Sequence, residues 1–389
     1  MRLKLEDSLT IVLFSPMIDS AIYTFDASTP HLAHVFPSFA VGGSQSRLAQ
    51  ILRAAPERYR HTIIALDGNC EMANHLSAAA SVRFLNPQIP KSSGPVAWSR
   101  IRAILHQLKP DLLLTYNWGA MDWCLANRFR PLARHVHIED GFGPEERHRQ
   151  LPRRAMARRI ALRGNSIVVV PSRALEQIAR EAWKLPPHTL RYIPNAVDCA
   201  RFATVSPKRN LPGEVTIGTV AGLRPEKNLS RLIAAFAALA RESPVRLKLV
   251  IVGDGPERTR LEAAAEHSGV GEAIRFAGAS TTPEMELARF DIFALSSDTE
   301  QMPLSLLEAM ASGLPVVSFA VGDVPQMVAG ENMPFAAIAL QDDAAYRSAL
   351  ATLIASPQLR ARLGSANQAV AFGRFELGRM VRDYVELLG

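Results

Sequence analysis

The feature that most constrains this chain is an alternation. From residue 31 onward, short and almost continuously apolar runs take turns with longer amphipathic ones. "HLAHVFPSF" precedes "SQSRLAQILRAA", "HTIIALD" precedes "AWSRIRAILHQLK", and "DLLLTYN", "RHVHI" and "SIVVVPS" follow as strand-like runs. The second half repeats the scheme: "EVTIGTVAGL" then "NLSRLIAAFAALARES", "RLKLVIVGDG" then "ERTRLEAAAEHSG", "AIRFAG" then "TPEMELARF", and "DIFALSS" then "LSLLEAMASG". Strands without a polar alternate face belong to parallel sheets covered on both sides, and parallel neighbours need crossovers long enough to hold a helix. The expected class is α/β, with two Rossmann-like doubly wound halves.

A length of 389 residues supports that division, because single cores rarely organise so long a chain. Residues 1–30 fit no strand–helix unit and read as an N-terminal extension. The first domain is placed at 31–197, a polar linker at 198–212 and the second domain at 213–372. The amphipathic helix at 373–389 is suited to pack back on the first domain. Hydrophobic residues make up 48% and charged residues 21%, an ordinary globular balance, and no apolar run approaches the ~20 residues a membrane span needs. Acids within the first seven residues argue against a cleaved signal peptide, and three scattered cysteines argue against a disulfide framework. Together these predict a cytoplasmic protein.

The net charge of +7 is concentrated in one place: "RHRQLPRRAMARRIALR" at 147–163 holds seven Arg and no acid. On a helix, Met156 and Ile160 share one face while Arg154 and Arg158 share another. A solvated helical face, an anionic membrane surface and nucleic acid are the competing readings. Without interleaved aromatics or a nucleic-acid motif, the membrane outranks nucleic acid as a partner.

Chemistry concentrates in "SSDTEQMPLSLLEAMASGLPVV" at 296–317. Ligands of open α/β sheets bind beyond the carboxyl ends of strands, where helix N-termini converge. Here Asp298 to Gln301 form the loop after a buried strand, and Pro303 suits the first turn of a helix. The N–H groups of Leu304, Ser305 and Leu306 then face the crevice as an anion site fit for a diphosphate. Glu300 flanks that site in the loop, and Glu308 lies about 1.5 turns inside the helix. A carboxylate accepts two hydrogen bonds from a vicinal diol, so two such acids suit a ligand with a sugar at each end of a diphosphate. Taken singly, Glu308 reads more readily as a solvated helix residue and Glu300 as an acid favoured by the helix N-terminus; it is the whole string that weakens that reading.

This string resembles the Glu-x7-Glu signature of the retaining glycosyltransferases of family 4. Gly42–Gly43, "YIPNAVD" at 192–198, "LRPEKN" at 223–228, "VGDGPER" at 252–258 and "RFAG" at 275–278 agree with it in order. The resemblance implies the GT-B fold, two Rossmann-like domains facing a deep cleft. It also implies transfer of a hexose from a nucleoside diphosphate sugar to a glycan or lipid-linked acceptor, in cell-surface polysaccharide assembly. By that resemblance Glu308 holds the nucleotide ribose, Glu300 holds hydroxyls of the transferred sugar near Met302, Pro303, Leu304 and Ser305, and Lys227 pairs with the departing diphosphate. Gly253 and Phe276 border the donor. Gly42, Gly43 and Asn117 line the acceptor or diphosphate loop, and His137 and Asp140 stand near the reacting carbon. No resident cofactor or metal is implied, since Lys227 and a helix end supply positive charge.

Three positions depart from the pattern. Gly222 stands where such families carry an Arg five residues before the Lys, with Arg224 the nearest cation to replace it. Gln301 replaces the usual Gly after the first Glu, and Gln326 stands at a site that is usually Glu. The alternatives are a nucleotide-sugar epimerase on the same fold and a non-catalytic membrane-associated scaffold. An NAD-dependent oxidoreductase ranks below them because no G-x-G-x-x-G joins a strand to a helix.

Overall fold

The structure is a computed structural model that describes residues 29–77, 80–87, 89, 94–142, 144–146, 150–205 and 213–389. Of the expected extension at 1–30, residues 1–28 lie outside the described residues, as do 206–212 of the expected linker at 198–212, whose first part instead forms the helix Cys199–Ala203 capped by Asp198. The chain forms two compact units. One runs to Val170 and adds Leu175–Tyr192 and Tyr384–Gly389; the other comprises Pro171–Ala174 and Ile193–Asp383.

The first unit is built on seven parallel strands: β1 (His31–Phe36), β2 (Arg60–Ala65), β3 (Val82–Leu85), β4 (Leu112–Tyr116), β5 (Arg134–Ile138), β6 (Ser166–Val170) and β7 (Leu190–Tyr192). Their order across the sheet is β3-β2-β1-β4-β5-β6-β7, so the winding reverses between β1 and β4. The second unit has five: β8 (Glu214–Val220), β9 (Arg246–Val252), β10 (Ile274–Gly278), β11 (Ile292–Leu295) and β12 (Val316–Ser318), in the order β10-β9-β8-β11-β12, with its reversal between β8 and β11. Both are doubly wound sheets, as the alternation of apolar and amphipathic runs dictates. The strands β3 and β7 have no strong sequence signal, because they are edge strands of four and three residues that carry Arg83 and Arg191.

Helix placement follows local chemistry. Pro95 opens the helix Pro95–Leu108, and Lys109, at φ 45°, stops it just ahead of Pro110. In Leu229–Glu242 the buried positions Leu229, Leu232, Ile233 and Phe236 recur at helical spacing and seal the second core. Burying each such side chain stabilises the unit by about 1.5–3 kcal/mol. Asp342 and Ser356 cap the helices that follow them by accepting from the N–H groups of Ala345 and Leu359. Two buried asparagines tie elements of this core together: Asn332 pairs both backbone groups of Val316, and Asn367 donates to Leu314 O and to Asn332. No helix among the described residues is long and apolar enough to cross a membrane.

Candidate functional site

In the second unit the winding reverses between β8 and β11, and the two loops leaving those strands are tied together. Ser296 Oγ donates to Lys227 O (3.0 Å), the Asp298 N–H donates to Glu226 O (2.9 Å), and Asn228 Nδ2 donates to Asp298 Oδ1 (3.0 Å). Asn228 itself adopts a left-handed conformation at φ 43°, which turns the short helix Pro225–Lys227 toward β11. Lys227 Nζ then donates to Glu300 Oε1 at 2.6 Å, and Ser297 Oγ donates to the same oxygen at 2.7 Å. The lysine remains 23% exposed and the glutamate 9%, so the pair stands at the rim of the unit.

The backbone after Glu300 is held from behind. Gly322 (φ 53°) packs so closely that a Cβ there would lie 2.4 Å from Glu300 O, and the Asp323 N–H donates to Gln301 O at 2.9 Å. Gln301, which replaces a customary Gly, accepts from Ser172 Oγ at 3.0 Å. Asn195 Nδ2 donates to Met302 O (2.8 Å), and Met302 is buried. Pro303 is the residue before the helix Leu304–Ala311 rather than its first member. The first intrahelical bond is the Leu307 N–H to Pro303 O, which leaves the N–H groups of Leu304, Ser305 and Leu306 without partners inside the helix.

Glu308 lies one turn further on, where this helix packs on Cys199–Ala203 and Pro283–Leu287. Burial pushes its carboxyl up to about 7; nearby Arg201 opposes the shift and Glu284 adds to it. Arg201 and Glu284 are themselves paired at 2.7 Å. Among the described residues, nothing donates a hydrogen bond to the Glu308 carboxylate. A half-buried carboxylate without a donor in the chain is open to water or to a ligand's hydroxyls.

The glycine loops complete this edge. Gly253 (φ 138°) passes so near the β8 loop that a Cβ would sit 1.9 Å from Ala221 O, and Gly253 N–H donates to Gly278 O. Gly253 therefore serves backbone approach within the unit. Phe276 is half-buried on β10 against the core. Arg224 is exposed, and a Cβ at Gly222 would meet nothing closer than 3.7 Å.

The expected residues of the first unit are arranged differently. Gly42 is extended (φ −170°) and begins the helix Gly43–Ala54, so the glycine pair supplies room rather than a special dihedral. Asn117, at φ 56°, accepts from the Asp140 N–H at 2.8 Å. Asp140 is gripped at both oxygens by Arg47 (2.6 and 2.8 Å), a buried residue that sequence reasoning missed. Burial opposes the charge on Arg47, yet Asp140 above all holds its pKa above the ordinary range. His137, placed by resemblance beside the reacting carbon, lies inside the unit at 0% exposure. Strand alternation turns its ring toward the helix Met121–Arg128, where Nδ1 lies 3.7 Å from Cys124 Sγ, and Nδ1 also meets Thr115 Oγ1 of β4 at 2.8 Å. Burial lowers its pKa, but Cys124 and Glu139 outweigh that and raise it to about 9. Arg154 and Arg158, expected on one helix face, differ: Arg158 is buried and ion-paired to Glu139 and Glu146. Among the described residues no cluster of three or more His, Cys, Asp or Glu is arranged to hold a metal ion.

Comparison with known proteins places this geometry. The model for "Glycosyltransferase Family 4" matches residues 41–201, and that for "Glycosyl transferases group 1" matches residues 203–370. The fold is that of the GT-B class. The Anabaena protein HepE, solved in complex with UDP-glucose, superposes with a TM-score of 0.75 at 19% identity over 92% of this chain and 99% of that one. The chain belongs to the group 1, family 4 glycosyltransferases. The lipopolysaccharide core biosynthesis glycosyltransferase LpsE of Rhizobium meliloti is 28% identical over 215 residues, which is 55% of this chain and 61% of that protein. The alpha-monoglucosyldiacylglycerol synthase of Streptococcus pneumoniae is 30% identical over 141 residues, 33% of this chain and 32% of that protein. The matches thus span less than two thirds of these curated relatives.

Proposed function

We propose that the protein moves a hexose, with retention of anomeric configuration, from a nucleoside diphosphate sugar to a glycan or lipid-linked acceptor of cell-surface polysaccharide or glycolipid assembly. The observation that carries this reading is the Glu308 carboxylate, half-buried and without a donor, one turn beyond a helix N-terminus with free N–H groups. A ribose diol supplies two hydroxyl donors to that carboxylate, and the diphosphate then falls beside Leu304, Ser305 and Leu306. Lys227 exchanges Glu300 for a phosphate oxygen, which frees Glu300 to accept from hydroxyls of the transferred sugar. As the bond from the anomeric carbon to the phosphate oxygen breaks, charge grows on the leaving diphosphate. Lys227 and the helix amides are already in place to stabilise it, and losing one such preorganised donor typically raises a barrier by about 2.7–4 kcal/mol. The names of LpsE and of the Streptococcus pneumoniae synthase favour a glycan or lipid acceptor, and the UDP-glucose bound to HepE makes that nucleotide sugar the first donor to try. A cytoplasmic site of action fits a nucleotide-sugar donor.

The test is calorimetric titration of the protein and of Glu308→Gln with UDP-, GDP-, ADP- and dTDP-sugars, followed by product analysis with a polyprenyl- or glycan-linked acceptor. Binding of one nucleotide sugar, weakened at least about 100-fold in the variant, is expected. Equal affinity in the two proteins would sink the role of Glu308, and sugar rearrangement without a new glycosidic bond would make the enzyme an epimerase.

A further inference from the structure

The loop that leaves β11 is pinned on both sides of one residue. Before it, Ser296 Oγ donates to Lys227 O at 3.0 Å, and Ser296 O accepts from Arg231 Nη1 at 3.3 Å. After it, Asp298 Oδ1 accepts from Asn228 Nδ2 and pairs with Arg231 Nη1, each at 3.0 Å. The Asp298 N–H is itself tied to Glu226 O. The residue between these anchors is Ser297, which is 1% exposed. Its hydroxyl donates to Glu300 Oε1 at 2.7 Å.

The same oxygen has a second donor. Lys227 Nζ reaches Glu300 Oε1 at 2.6 Å, so the cation and the hydroxyl converge on one atom. Among the described residues, nothing donates to Oε2. The carboxylate is therefore divided, with one oxygen doubly engaged by the protein and the other open. Nothing intrinsic to a glutamate produces that division, because its terminal torsion is broad and roughly two-fold. Lys227 does not preserve it through the reaction, since in the proposed donor complex the ammonium turns to the diphosphate. Ser297 does. It is a neutral donor on a pinned backbone, and it stays on Oε1 when the cation leaves.

We infer that Ser297 is a positioning residue: it fixes the rotation of the Glu300 carboxylate, so that Oε2 is presented to hydroxyls of the transferred sugar while Lys227 serves the leaving diphosphate. The inference rests on the proposed donor reading and assigns the two oxygens of Glu300 separate tasks. Oε1 is held by the protein, and Oε2 accepts from the sugar. Ser297 touches neither the sugar nor the phosphates, and acts only through Glu300.

The experiment is calorimetric titration of the full chain with UDP, GDP, ADP and dTDP, and with UDP-glucose, UDP-N-acetylglucosamine, GDP-mannose, ADP-glucose and dTDP-glucose. For the pair that binds, Ser297→Ala should leave the affinity for the bare diphosphate within about two-fold and lower that for the nucleotide sugar at least about ten-fold. Ser297→Cys, which nearly keeps the volume and weakens the donor, should show the same split, with thermal melts confirming that both variants fold. In a Glu300→Ala background, adding Ser297→Ala should change the affinity for the nucleotide sugar by less than about two-fold, because the group it orients is gone. Equal losses for diphosphate and nucleotide sugar would overturn the inference, since Ser297 would then only shape the loop. So would wild-type affinities in both variants, or an undiminished effect of Ser297→Ala without Glu300. Binding of no nucleotide at all would remove the proposed reaction and this inference together, whereas binding without the split removes the inference alone.

Discussion

Each sheet reverses its winding once, and the two reversals are furnished differently. Between β8 and β11, Lys227 and Glu300 pair at the rim, and among the described residues the Glu308 carboxylate accepts no hydrogen bond. Between β1 and β4 most polar groups are committed internally, although His61 Nε2, His137 Nε2 and Glu139 Oε1 are buried without a hydrogen-bond partner among the described residues. Arg47 holds both oxygens of Asp140, Asn117 accepts from the Asp140 N–H, and a Cβ on Gly119 would meet Pro37 at 2.7 Å. Behind them, His34 lies 3.0 Å from both His61 and Tyr116, and Arg158 ties Glu139 to Glu146. Polar groups satisfied inside a fold stiffen it, while groups left half-satisfied lower stability and await a ligand. The same topology thus carries a bidentate arginine–aspartate pair at one reversal and a carboxylate without a donor at the other.

The strongest way to break this comparison is Arg158→Met, which leaves Glu139 and Glu146 buried without their partner. The expected loss is about 3–5 kcal/mol, confined to the first unit. All four tryptophans, Trp98, Trp118, Trp123 and Trp183, lie in that unit, so their fluorescence in urea reads its unfolding alone. A loss under about 1 kcal/mol would mean that the buried triad does not organise it.

Glu308→Gln should act in the opposite sense on the second unit. The folded carboxyl titrates at about 7 against an ordinary value of 4.5, so the folded state binds more protons in that window and stability falls as pH rises through it. Glutamine removes the penalty. The variant should gain about 1–3 kcal/mol at pH 8 and nothing near pH 4, measured by circular dichroism melts.

The histidines sharpen the contrast further. Burial depresses the pKa of His34 and brings that of His61 to about 4, against 6.5 for a free histidine. Their stability is present above pH 6.5 and is lost as pH falls toward 4, by roughly 1–2 kcal/mol. Acidification therefore weakens the first unit, seen by tryptophan fluorescence, over the same range in which Glu308 firms the second. The smallest effect belongs to Gly222→Arg. The position has space for a side chain, so stability should stay within about 0.5 kcal/mol, while the added cation tightens nucleoside diphosphate binding by up to about ten-fold in calorimetry.

The fold class was legible because a parallel sheet buried on both faces writes itself as unbroken apolar runs. The edge strands β3 and β7 were not, being too short to carry a period. At the candidate site, the spacing from Glu300 to Glu308 around Pro303 exposed the loop and helix, and Lys227 could be placed beside Glu300 only through family resemblance. What stayed hidden depends on long-range pairing. Ser297 on Glu300, Asn195 on Met302 and Ser172 on Gln301 join residues whose nearness no local pattern encodes. Nor does an arginine-rich helix announce which arginine turns inward; the acids that capture Arg158 lie 19 and 12 residues before it.

One detail of chain membership bears on how the protein is made. The first unit closes only with Tyr384–Gly389, and Tyr384 lies against the guanidinium of Arg47. During translation those residues leave the ribosome about 190 positions after Tyr192, a delay of roughly 10–40 s at ordinary elongation rates. Until then Arg47 waits without the Tyr384 ring, so the second unit can be complete before the first is finished, against the order in which the ribosome delivers them.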